Sequence, residues 1–147
     1  MQLNRELVLN DLRRLNSDRF AVTQLQSELE TIELEFTAIK ATNYDKIPSG
    51  GNGNSQRDNL ENAIAKKQHM ETSLAATRAH VADMERLLSQ LQPIDRKIIE
   101  RLEVARGSYS TETVAEEIGL EVRQTLNRKR DAIEKLIQLR FGQGYQP

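Results

Sequence analysis

Apolar residues recur at alternating steps of three and four along two long stretches of the chain. In the first, Val22, Leu25, Leu29, Ile32, Phe36 and Ile39 form a heptad seam that Val8 and Leu15 extend toward the N-terminus. In the second, Leu60, Ala63, Lys67, Met70, Leu74, Thr77, Val81, Met84, Leu88 and Leu91 keep one seam throughout. Each seam covers about 32 residues, or roughly 48 Å at helical rise. Between them, residues 41–58 (ATNYDKIPSGGNGNSQRD) break the period with Pro48, Gly50, Gly51 and Gly53. Two helices of equal length joined by a flexible loop predict an antiparallel, coiled-coil-like hairpin over residues 1–92. Asp58 followed by Glu61 reads as a capping box that opens the second helix.

The seams are uneven. Lys67 and Thr77 occupy seam positions, Asp11 and Asp18 fall where the first repeat wants apolar residues, and Leu3, Leu7, Leu9 and Leu12 widen the apolar face near the N-terminus. Two helices alone bury little surface, so the hairpin is expected to pack on another copy, most simply as a dimer. Residues 1–92 are therefore read as an oligomerisation domain.

Beyond Pro93, suited to the first position of a helix, the pattern shortens. IDRKIIERLEVAR places Ile94, Ile98, Ile99, Leu102 and Ala105 on one side, and Gly107 ends it. Ser110 or Thr111 caps a short helix with Val114, Ala115 and Ile118 inward. Gly119 turns the chain, Leu120 lies beneath the turn, and a last helix over residues 122–139 carries Val122, Leu126, Ile133, Leu136 and Ile137 inward. Residues 93–147 are expected to fold by themselves, though marginally at that length. The class is all-α: a long hairpin followed by a small helix-turn-helix domain.

Composition fits narrow helical stripes: hydrophobic residues make up 37% and charged residues 29%, and there are no tryptophans and no cysteines. With no thiols, neither a disulfide framework nor a thiolate metal site is available. No apolar run is long enough for a bilayer, and no cleavable signal is read, so a location in the cytoplasm of a bacterial host is expected. Net charge is −1, yet residues 122–140 hold six basic residues against two acidic ones. A small residue at Ala115, a turn at Gly119 and flanking aliphatics are what two closely crossing helices need. The last helix then offers Arg123, Gln124, Asn127, Arg128 and Arg130 to the major groove, where Arg reaches guanine and Asn reaches adenine. Double-stranded DNA is the expected partner. A three-helix bundle with a solvated basic face is the alternative, and the helix dipole counts against it, since cations are disfavoured at a helix start.

Other chemistry is weak. Gly-Gly-Asn-Gly has neither a preceding strand nor a following Gly-Lys-Ser/Thr and does not read as a phosphate loop. His69 and His80, about 16 Å apart on one helix, cannot share a metal and are expected to be exposed. Glu112, Glu116 and Glu117 have no opposing base, and Ser108 and Ser110 no activating partner, so neither an enzyme nor a cofactor is expected.

The segments YDKIP with its Gly-Asn-rich loop, LLSQLQPIDRKIIERL and TVAEEIGLEVRQTLNRKRDAIEKL resemble phage transcriptional regulators of the RinA and ArpU type, over residues 44–136. The C-terminal part is similar to sigma-factor region four. The resemblance implies a helix-turn-helix that binds promoter DNA, activation of late phage genes, and host RNA polymerase as a further partner. It assigns the DNA face to Arg123, Gln124, Asn127, Arg128 and Arg130. One departure affects the register. Many such motifs place Val or Ile six residues after the turn glycine, but here that position is Thr125, followed by Leu126. Either the turn is longer by one residue or Thr125 is packed. A small terminase subunit is a second reading, although its DNA-binding part usually comes first. A coiled-coil interaction module without DNA binding is a third.

Overall fold

The computed structural model describes residues 2–45 and 53–142. Every regular element among them is helical: α1 (Gln2–Asp45), α2 (Gly53–Ser89), α3 (Pro93–Ile99), a π-helical turn (Glu100–Val104), α4 (Thr111–Ile118) and α5 (Val122–Phe141). The fold class is all-α, as the periodicity predicts. The two long helices run into the expected loop, since residues 41–45 belong to α1 and residues 53–58 to α2. Asp58 and Glu61 consequently sit inside α2 and do not cap its start. The remainder of that loop, residues 46–52, lies outside the described residues.

The chain divides into two compact units, Met1–Arg19 with His80–Pro147, and Phe20–Ala79. In the second of these, Leu29 and Ile32 of α1 pack with Met70 and Leu74 of α2, flanked by half-buried Val22, Leu25 and Phe36. Lys67 holds a seam position by laying its stem over apolar surface while its ammonium lies 3.9 Å from both Glu33 and Glu71 and 5.7 Å from the Phe36 ring centroid. Thr77 returns its hydroxyl to the Ser73 carbonyl at 2.8 Å, which makes it tolerable in the same seam.

The other unit has a thicker core. Val8, Leu12 and Leu15 of α1 and Met84 and Leu88 of α2 pack with Leu91, Ile99, Val104 and the α5 residues Ala132, Ile133, Leu136 and Ile137. Pro93 therefore starts a helix but marks no break in packing. Residues on both sides of the expected boundary at 92/93 share one core. The Asp residues of the first seam are accommodated here by cations: Asp11 pairs with Arg140, and Asp18 lies 3.3 Å from His80. His80 is thus half-buried against α1, contrary to the exposed position expected of it, while His69 is exposed. Of the four N-terminal leucines, Leu12 is buried and Leu9 half-buried, but Leu3 and Leu7 are exposed and widen no core face.

Phase is shifted after α3. The Ala105 N–H donates to the Glu100 carbonyl at 2.9 Å, five residues back, and the extra residue in that turn rotates the side chains about the helix axis. Glu103 and Val104 are brought inward, Leu102 and Ala105 are left half-buried, and Ile94 is exposed. A strict α-period had placed Leu102, Ala105 and Ile94 inside. Glu103 is buried between Lys129 Nζ at 2.8 Å and Arg13 Nε at 3.6 Å. Nearby, Arg19 of α1 donates to Glu100 at 2.9 and 3.0 Å and also to Glu85, which in turn accepts from Arg96 at 2.7 Å. Hydrogen bonds from Arg19 to Glu100, reinforced by Glu85 and opposed by partial burial, hold this guanidinium above its already high range, so it stays charged throughout.

Candidate nucleic-acid interface

The segment that presents the predicted DNA face is built locally. Ser110 is the N-cap of α4, its hydroxyl accepting from the Thr113 N–H at 3.1 Å. At the other end Gly119 has φ of 73°, with its N–H on the Glu116 carbonyl and the Leu120 N–H on the Ala115 carbonyl. That pair of bonds is a Schellman ending, and its left-handed residue would strain any side chain with a Cβ. Glu121 then caps α5: its carboxylate accepts from the Gln124 backbone N–H, and Gln124 Oε1 accepts from the Glu121 N–H at 3.2 Å. Val114 and Ala115 are buried on the inward side of α4.

The register left open by the sequence resolves in favour of packing. Thr125 is fully buried and donates its hydroxyl to the Glu121 carbonyl at 2.9 Å. A hydroxyl satisfied by its own helix substitutes for the aliphatic side chain common at that position. Leu126 and Val122, expected inside, are 45% and 37% exposed, because the helix turns its Thr125, Ala132, Ile133, Leu136 and Ile137 side to the core.

The five predicted site residues do not behave alike. Arg123, Asn127 and Arg130, at steps of four and three, share one exposed side of α5. Among the described residues the Arg123 and Asn127 side chains make no hydrogen bond or ion pair. Arg130 is 61% exposed and meets only its neighbour Asp131 at 3.4 Å. Gln124 is exposed, but its carbonyl oxygen is committed to the cap. Arg128 differs most. Its Nε donates to Asp95 at 2.8 Å and its Nη2 to Gln92 at 3.1 Å, tying α5 to the start of α3.

The remaining α5 cations are also engaged: Lys129 with Glu103, Lys135 with the Gln90 carbonyl at 3.0 Å, and Arg140 with Asp11. The clustering of positive charge near the start of α5, which helix stability alone does not explain, is therefore explained in large part by acids and carbonyls of other elements. Nothing in the local sequence signals these partners, since Asp95 lies 33 residues from Arg128 and Asp11 lies 129 residues from Arg140.

Acidic side chains elsewhere are exposed or paired. Glu112 and Glu116 are exposed, while Glu117 lies 3.1 Å from Lys97 and 3.3 Å from Arg101. The hydrogen bond from Lys97 first, with the Arg101 charge, holds the Glu117 carboxyl below its ordinary value. Arg101 also donates to the Tyr109 hydroxyl at 2.6 Å, its guanidinium 4.5 Å from the ring centroid. Among the described residues no three His, Cys, Asp or Glu side chains are placed to hold a metal ion, and no helix is long and apolar enough to cross a membrane. Comparison with family models, curated proteins and solved structures gave no match. The chemistry of the exposed side is hydrogen-bond donation by two guanidinium groups and one amide.

Proposed function

We propose that the protein is a sequence-specific DNA-binding regulator of the phage type suggested by its sequence resemblance, an activator of late genes, in which α5 enters the major groove. The observation that carries this reading is the Arg123–Asn127–Arg130 side of α5. Two guanidinium groups and an amide, without competing acceptors apart from Asp131, stand on the helix that leaves the tight turn at Gly119. Arg reaches the O6 and N7 of guanine and Asn the N6 and N7 of adenine in a bidentate way, each good pair contributing about 1–3 kcal/mol of discrimination. Gln124 retains its amide N–H groups for a neighbouring base or phosphate. Arg128 is assigned a positioning role, with Asp95 and Gln92 as its partners, and leaves the set of base contacts. Self-association brings more than one reading head to a site, which raises affinity by effective concentration.

Fluorescence anisotropy of the full chain on duplex promoter DNA at low salt tests the reading. Arg123→Ala with Arg130→Ala is expected to weaken binding at least about tenfold, one such step being 1.4 kcal/mol, with the far-ultraviolet circular dichroism unchanged. With few free cations the slope of log K against log salt should be close to −2 per reading head, at about 0.9 per phosphate, and not the −4 or steeper that all the basic residues of α5 would give. Absence of binding at low salt sinks it. The engagement of Arg128, Lys129, Lys135 and Arg140 within the protein favours a second reading, a protein-interaction module, which that result would leave standing.

A further inference from the structure

In the Phe20–Ala79 unit, each long helix has an outward side that the shared seam does not use. On α1 that side carries Phe20 and Leu34, 65% and 72% exposed, with Ser27 and Thr31 between them. Thr31 and Thr37 donate their hydroxyls to the Ser27 and Glu33 carbonyls, which removes the need of those donors for water. From residue 20 to residue 38 the only charged side chains are glutamates, at 28, 30, 33 and 35. Of these, Glu28, Glu30 and Glu35 have no ion-pair partner among the described residues.

The outward side of α2 is opposite in size and in charge. Ala65, Thr72, Ala75, Ala76 and Ala79 are exposed there, with the Thr72 hydroxyl returned to the Gln68 carbonyl at 2.9 Å. Beside them stand Lys66 and Arg78, exposed and without an ion pair among the described residues.

We infer that the outward side of α1 in one copy docks on the outward side of α2 in a second copy of this chain. Large side chains meet a surface of methyl groups, which lets two helices approach closely, and glutamates meet unpaired cations. An α1–α1 contact would oppose acid to acid, and an α2–α2 contact would leave Phe20 and Leu34 uncovered. The contact is heterologous: each copy offers one side of each kind, so repetition closes a ring or extends a chain rather than stopping at a two-fold dimer. The inference rests on the self-association within the proposed function and not on DNA binding.

Light scattering on the full chain at about 50 μM, well above the micromolar affinities of many specific contacts, tests it. Wild-type protein should exceed the mass of one chain. Phe20→Glu with Leu34→Glu should raise the concentration for half-association at least about tenfold by placing charge in an apolar contact, with helicity unchanged because both residues are exposed. Glu28→Lys with Glu35→Lys, and separately Lys66→Glu with Arg78→Glu, should each lower the mass, and an equimolar mixture of the two variants should restore it. Monomeric wild-type protein overturns the inference. So does wild-type mass in the Lys66/Arg78 variant, which an α1–α1 contact would give, or in the Phe20/Leu34 variant. Protein that assembles as expected but binds no DNA refutes the DNA reading and leaves this contact in place.

Discussion

The two units are built from the same two long helices but hold together differently. In the Met1–Arg19/His80–Pro147 unit, α1 and α2 meet α3, the π-helical turn and α5, and the core side chains are at most 6% exposed. In the Phe20–Ala79 unit only α1 and α2 contribute, the four buried residues retain 6–9% exposure, and large apolar side chains face outward. A third layer gives a helix pair something to bury its flanks against, and charged side chains then pair across elements. A two-helix seam leaves those flanks free for other partners.

Removing one layer of the thicker unit should have the largest effect. Residues 93–147 expressed alone would lose Val8, Leu12, Leu15, Met84, Leu88 and Leu91 from the core. They should lack cooperative thermal unfolding by circular dichroism, although the sequence pattern of this segment reads as a module able to fold alone. A sigmoidal transition would show that α3, α4 and α5 suffice.

Next in size is the buried carboxylate. Glu103→Ala leaves Lys129 and Arg13 without their acid and should cost about 3–5 kcal/mol in chemical denaturation. An unchanged midpoint would mean that Glu103 is open to water. Truncating one leucine in each unit compares their packing directly. Leu12→Ala should destabilise by about 2–5 kcal/mol, and Leu74→Ala by about 2 kcal/mol or less, because a seam between two helices closes over a gap more readily than a three-layered core. Equal losses would erase the distinction drawn between the units.

The smallest effect is expected at Glu117. Its carboxyl is held below the ordinary value, so the contribution of its pairs with Lys97 and Arg101 is complete above the carboxylate's unfolded pKa and is lost as pH falls through the lowered folded value. The difference in Tm between wild type and Glu117→Gln should therefore be present at neutral pH and narrow in acid. A difference independent of pH would assign it to side-chain packing.

Of the candidate interface, the sequence made its frame legible. The cap at Ser110, the turn at Gly119 and the outward placement of Arg123, Asn127 and Arg130 depend on residues three to five positions apart. Arg128 shows where that legibility ends. Helical spacing says which side of α5 it occupies, but not that Asp95 and Gln92 wait there.

What the sequence by itself determined are features set by short-range geometry: helix periodicity, a capping hydroxyl, a glycine able to take positive φ. Tertiary structure decided the rest. It decided that Pro93 begins a helix without beginning a domain, that one π-helical turn exchanges Leu102 for a buried Glu103, and that only part of α5's positive charge remains free. The reason is physical. The local features are enforced by hydrogen bonds within a turn or two of backbone, whereas the partner of a charge or the neighbour of an apolar side chain comes from whichever distant segment the packing of whole helices brings within a few ångströms.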